Sequence, residues 1–411
     1  MLAKNINPNM LAWARQEIGV SLEQASKKIG LKNTKSISAA ERLHAFESGE
    51  KFPTRKQLFK IAKVFRRPLV TFYLETPPAK DNRNKDFRLT NYYMTQQDRG
   101  ILEALVRNIR ARQDMVAQII IEEDTPESLD FIKSVNISES QDIAVEKIHK
   151  VLNLKENRPK FINDPRKLFK ELRDRIEKLG IFVLLAENYG PLRSSVSEKI
   201  FRGLTISDPI APFIVINRHD IEPAWSFTLI HELVHLFLGS TGISGELNPG
   251  IRNPTERFCD AVAGKILIPD SDLKNIEIGK SLPEIRQVIN DISINYSVSK
   301  NMVAYRLQQS HYISANQYGT LAAEFTRKWR EQKEQEKIRR KKKETEGGPS
   351  YYIIQNHRLG PSLVELVARN LRDGTLSHSK AATILGTKIG SVEPLLAKVP
   401  SVSGTYQNSK V

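Results

Sequence analysis

The sequence predicts a mainly α chain with one small β-sheet, an α+β domain, preceded by an all-α N-terminal domain. Three observations carry this. Capping-box signatures open three helices within the first 75 residues. Two short runs rich in β-branched and aromatic residues, Ile181 to Leu185 and Pro212 to Ile216, interrupt the middle of the chain. Elsewhere the apolar positions recur at helical spacing.

Taken in order, Ser21-Leu22-Glu23-Gln24, Ser38-Ala39-Ala40-Glu41 and Thr54-Arg55-Lys56-Gln57 each pair a hydroxyl with a side chain three positions on, which satisfies the orphan N–H groups of a helix start. Apolar residues follow at helical spacing: Leu22, Ala25 and Ile29, then Leu43 and Phe46, then Leu58, Ile61, Ala62 and Phe65. We read residues 1–75 as one helical domain. The polar, proline-containing stretch over 76–95 reads as a linker. A domain over 96–320 opens on a helix from Gln96 to Ile121, and its two strands flank Phe201-Arg202-Gly203-Leu204. A charged helix and linker over 321–350 includes Arg339-Arg340-Lys341-Lys342-Lys343, read first as a solvated helical face. Gly347-Gly348-Pro349-Ser350 closes it, and a helical module covers 351–411.

Apolar residues at 40% and charged residues at 27% exclude a disordered chain. No apolar stretch is long enough for a membrane span and no secretory leader is evident, so the expected address is cytoplasmic, without a membrane partner. The single cysteine, Cys259, excludes an intrachain disulfide framework and a zinc site built on cysteines. A net charge of +16 favours polyanions, nucleic acid first, without saying where they bind.

His231-Glu232-Leu233-Val234-His235 carries the chemistry. At about 100° per residue, His231 and His235 project from one helix face a turn apart, in reach of a single ion, with Glu232 beside them. Phe227, Leu229, Ile230, Val234, Leu236, Phe237 and Leu238 make this helix apolar nearly all round, so its ionisable groups require partners. A third ligand should come from another helix. Gly239 suits a helix stop and Asn253-Pro254 a start, placing Glu256 in the next first turn as third ligand, or as the acid of a capping box with Asn253. Asp260, one turn on, is placed to accept the outer N–H of a ligand histidine, and Cys259 reads as a small packing residue.

The strings Arg-Gly-Leu-Thr, Pro-Phe-Ile-Val-Ile-Asn, Phe-Thr-Leu-Ile-His-Glu-Leu-Val-His-Leu-Phe-Leu-Gly and Glu-Arg-Phe-Cys-Asp-Ala-Val-Ala-Gly-Lys-Ile-Leu-Ile-Pro, from about Phe201 to Leu307, closely resemble the ImmA/IrrE family of metallopeptidases. Here Glu256 matches the family's third metal ligand, Asp260 stands where Asn is usual, and Cys259 replaces an alanine. The resemblance implies a zincin-like peptidase domain with a zinc ion, manganese serving in vitro, and Glu232 as general base and then acid. For the oxyanion, His219, Arg202, Tyr296 and His311 are candidates by residue type only.

The helices opening at Ser21 and Ser38, with Phe46-Glu47-Ser48-Gly49-Glu50 and Pro53-Thr54, resemble the Xre/Cro-type helix-turn-helix, although the span from Gly30 to Glu47 is longer than usual. That likeness implies DNA contacts from Lys35, Ser36, Ser38, Ala39 and Arg42. Together the two likenesses imply a site-specific endopeptidase cutting a transcriptional repressor or other DNA-associated protein. The alternative is a DNA-binding regulator or antitoxin, with a toxin partner, whose peptidase fold serves partner binding.

Overall fold

A computed structural model describes residues 2–34, 36–78, 94–123, 128–155, 159, 161–186, 201–245, 253–274, 276–342 and 350–397, with backbone alone over 336–342. It is mostly helical with one four-stranded sheet, the α+β class predicted. Among the described residues, no helix is long and apolar enough to cross a membrane.

Helices α1 (Pro8–Glu17), α2 (Leu22–Ile29), α3 (Ala39–Glu47) and α4 (Arg55–Phe65) form the N-terminal unit. All three predicted capping boxes close, with Ser21, Ser38 and Thr54 each accepting from the backbone three residues on. Local chemistry alone sets these starts. The unit has its own core, which includes Leu11, Leu43, Ile61, Phe65 and Phe72. The Arg15 guanidinium donates through Nε and Nη2 to both Glu47 carboxylate oxygens at 2.8 and 2.9 Å, tying α1 to α3. Between α2 and α3 the connection is long, and side chains brace it: Ala39 N–H donates to Asn33 Oδ1 at 2.8 Å and Arg42 Nη1 donates to the Lys32 carbonyl at 2.9 Å.

After the linker comes α5 (Gln96–Glu122), capped by Thr95. Its start abuts the N-terminal unit closely. A Cβ on Gly100 would lie 2.7 Å from Ile18 Cα, so glycine is required for this approach. Next in chain order are α6 (Gln141–Val151), α7 (Pro165–Lys178), β1 (Phe182–Ala186), β2 (Gly203–Ile206), β3 (Phe213–Asn217), α8 (Glu222–Phe237), β4 (Gly242–Ser244) and α9 (Pro254–Leu267). The sheet order is β1-β3-β2-β4, with β1 and β3 parallel and the other two pairings antiparallel. The segment flanked by the two predicted strands is itself a strand, β2, and β4 adds a short edge that too few residues specify for periodicity to reveal.

Side chains alternate across the sheet. Val183, Leu185, Ile214 and Ile216 face α7, α8 and α9 within one core. Phe182, Leu184, Leu204, Phe213 and Val215 face a second. The first core continues through α10 (Asp270–Leu273), α11 (Leu282–Tyr296), α12 (Lys300–Gln309) and the start of α13 (Ala315–Lys342). The basic run at 339–343 lies outside the residues whose side chains are described.

Helices α14 (Tyr351–Leu359), α15 (Pro361–Arg372), α16 (His378–Leu385) and α17 (Val392–Leu396) pack with α5 over the second face of the sheet. A buried ion pair pins them there. Arg173 and Glu177 of α7 pair at 2.7 Å, Arg173 Nη1 donates to the His357 carbonyl at 2.6 Å, and Ser362 N–H donates to Glu177 at 3.0 Å.

Candidate metal centre

The site sits where α8 and α9 cross beneath β2. The predicted punctuation is present: Gly239 takes φ +68° just past α8, and Asn253 caps α9 with Pro254 in its first turn. Asn253 accepts from Thr255 N–H at 3.1 Å, while the Glu256 carboxylate turns to the histidines instead of closing a box with its cap.

His231 Nε2 and His235 Nε2 stand 3.1 Å apart, and each lies 3.3 Å from an oxygen of Glu256. Ligand atoms about 2.0–2.1 Å from a tetrahedral zinc ion stand about 3.3–3.4 Å from one another. The triangle therefore has the dimensions of one face of such a coordination shell. Both imidazoles are nearly fully buried. Their outer nitrogens are engaged so that Nε2 can offer a lone pair: Asp260 Oδ1 lies 3.0 Å from His231 Nδ1, and Ser240 Oγ lies 2.9 Å from His235 Nδ1 while donating to the His235 carbonyl at 3.2 Å.

Charge follows this geometry. Burial works against a proton on His231, but the Asp260 and Glu256 carboxylates outweigh it and hold the imidazole pKa well above its ordinary range. Burial pushes Glu256 upward, yet hydrogen bonds from His231 and His235 prevail and hold its carboxyl far below the usual range. Such a proton-crowded, anion-rich cage suits a cation in place of the protons.

Glu232 is fully buried. The Thr205 hydroxyl donates to its Oε2 at 2.6 Å, whereas its Oε1 has no hydrogen-bond partner. Gly203 makes the room: a Cβ there would lie 2.2 Å from Oε1. Positions 203 and 205 share one face of β2, so two residues of the Arg-Gly-Leu-Thr string form the cradle of the carboxylate.

Residues 176–308 match the Peptidase M78 family model, the IrrE N-terminal-like domain. The match runs from the end of α7 to α12 and holds every residue of the cluster, so this span carries an ImmA/IrrE-type peptidase domain of a metallopeptidase family. Neither a curated protein nor a solved structure matches the chain.

Within the IrrE-like domain the structure brings together His231, His235, Glu232, Glu256 and Asp260, all named from spacing. It adds one group that spacing had assigned to packing. Cys259 Sγ and the two histidine nitrogens all lie within 4.8 Å of one another. Burial, followed by the charges of Glu256, Glu232 and Asp260, pushes this thiol well above its ordinary range. Glu256 is thus the ready anionic donor and Cys259 a protonated neighbour.

Gly203, Thr205 and Ser240 escaped the sequence reading. For the first two a period-two pattern was the available signal. Of the oxyanion candidates, Tyr296 donates to Asp272 at 2.8 Å, Arg202 lies 3.8 Å from Asp220, Lys333 donates to the His219 carbonyl at 2.9 Å, and His311 follows α12 at φ +62°. In the N-terminal unit Ser36 and Ser38 are exposed, Ser38 spends its hydroxyl on the cap of α3, and Lys35 lies outside the described residues.

Proposed function

We propose that the chain is a zinc-dependent endopeptidase that cuts a transcriptional repressor or another DNA-associated regulatory protein. The observation that carries this reading is the triangle of His231, His235 and Glu256 with an unpartnered carboxylate oxygen of Glu232 buried nearby. His231, His235 and Glu256 would hold the ion, with Asp260 and Ser240 fixing the imidazole tautomers. When bound, zinc lowers the pKa of its water toward neutrality and polarises the scissile carbonyl. Thr205 occupies Oε2 of Glu232, which leaves Oε1 to take the proton of the attacking water and return it to the leaving amine. Manganese would substitute for zinc in vitro, as a hard cation tolerated by a nitrogen and carboxylate donor set.

For targeting, α3 would present its N-terminal end to DNA through Ser36, Ser38, Ala39 and Arg42, with Lys35 beside them. Arg42 already holds the Lys32 carbonyl, so its contribution to DNA would fall to the rest of the guanidinium.

The test incubates candidate repressors with the full chain plus zinc or manganese, comparing wild type with Glu232→Gln. Cleavage should fall about 10²–10⁴-fold in the variant while metal content stays at one ion per chain. Wild-type protein that takes up no stoichiometric metal would overturn the site. A biological output that survives Glu232→Gln would transfer the reading to a DNA-binding regulator or antitoxin with a toxin partner.

A further inference from the structure

A cavity of about 1040 Å³ lies between the N-terminal unit, α5, β1 and α14, on the side of the sheet away from the histidines. Six cationic side chains line it. Lys63, Arg66 and Arg67 come from the end of α4 and just beyond, Arg107 and Arg112 from α5, and Arg358 from α14. No described lining residue is an aspartate or glutamate. Much of the remaining wall is aliphatic, including Leu184 and Ile109, so the charges face a poorly solvated space.

Gathering like charges from three chain segments into one concavity is unfavourable unless an anion is shared among them. The internal relief is small. Glu17, outside the lining, stands 3.8 Å from Arg67, whose guanidinium also lies 4.3 Å over the Trp13 ring. Burial, then the charges of Arg67 and Arg66, lower Arg107 to about 10 despite Glu103 and Glu17. A guanidinium meets a phosphate through two parallel N–H bonds, so arginine in preference to lysine is the chemistry of phosphate capture. The volume is at the upper end of the roughly 300–1,000 Å³ typical of small-molecule pockets.

We propose that this cavity binds a compact polyphosphate anion, either a nucleoside triphosphate or a free triphosphate chain. Because its arginines come from the N-terminal unit, α5 and α14, one bound anion would clamp all three. The site is independent of the peptidase reading and stands or falls separately from it.

Titration calorimetry of the full chain with inorganic tripolyphosphate, and separately with ATP, tests this. Tripolyphosphate should bind one-to-one and raise the melting temperature, and tighter binding of ATP would identify the nucleotide as the source. Arg107→Gln and Arg358→Gln should each weaken binding about tenfold or more, while Arg327→Gln on the exposed face of α13 should not. Without ligand, Arg107→Gln should melt no lower than wild type, since it removes a repelled charge, and this separates lost binding from lost folding. Absence of saturable binding would overturn the proposal. So would equal losses in Arg107→Gln and Arg327→Gln, or tight binding of a single-stranded oligonucleotide with none of tripolyphosphate.

Discussion

At the scale of single residues, the question is which groups would take the metal. Glu256 is ionised by its two histidine partners, while Cys259, though close, is kept as a thiol by burial and three carboxylates. We therefore expect Glu256→Ala to abolish stoichiometric metal binding and Cys259→Ala to retain it, both read by metal analysis of purified protein. Asp260→Ala should weaken metal affinity about 10–100-fold through loss of the imidazole's outer partner.

The raised pKa of His231 also makes a pH prediction for chelator-treated protein. The folded state keeps a proton that the unfolded state loses near the ordinary value of 6.5. Stability from this group is therefore complete below that pH and lost as pH rises toward the folded pKa. Melting temperature should fall from pH 6.5 to about 8.5 without metal, and bound zinc, which displaces the proton, should remove that slope. A flat metal-free profile would exclude the proposed pairing with Asp260 and Glu256.

At the scale of elements, β2 acts as a support for α8. Gly203 and Thr205, two residues apart, leave space for one oxygen of Glu232 and bind the other. A methyl group at 203 must displace the buried carboxylate. Gly203→Ala should therefore cost about 1–3 kcal/mol of stability by overpacking and reduce peptidase activity sharply while metal content persists. Denaturant titration beside a cleavage assay would separate these effects. Normal activity in this variant would mean that Glu232 tolerates another rotamer and that the cradle is not needed.

At the scale of the whole molecule, the C-terminal helices belong to the same packed body as the sheet. Residues 351–411 read as a separate module because a hairpin's local pattern carries no sign of its partner, yet α15 and α16 cover Leu184, Phe213 and Val215 with α5. Ending the chain after Lys342 would expose that face and leave Arg173 and Glu177 without their partners on α14 and α15. Such a chain should be insoluble or molten, each fully exposed large aliphatic side chain forfeiting about 1.5–3 kcal/mol. Removing residues 1–94 takes away a unit with its own core. That shortened chain should still fold and bind metal, as soluble yield and metal analysis would show.

Much of the centre was legible in the residue order because its determinants are local. A helical turn places His231 beside His235, a glycine stops α8, and Asn253 with Pro254 starts α9 so that Glu256 falls in its first turn. The three capping boxes were equally plain, since each closes within four residues. The cradle of Gly203 and Thr205, the nearness of Cys259, the covering of the second sheet face and the arginine-lined cavity emerged only in three dimensions. Each depends on which elements pack together across long stretches of chain. Periodicity reveals that a face is buried, and packing alone decides what it is buried against.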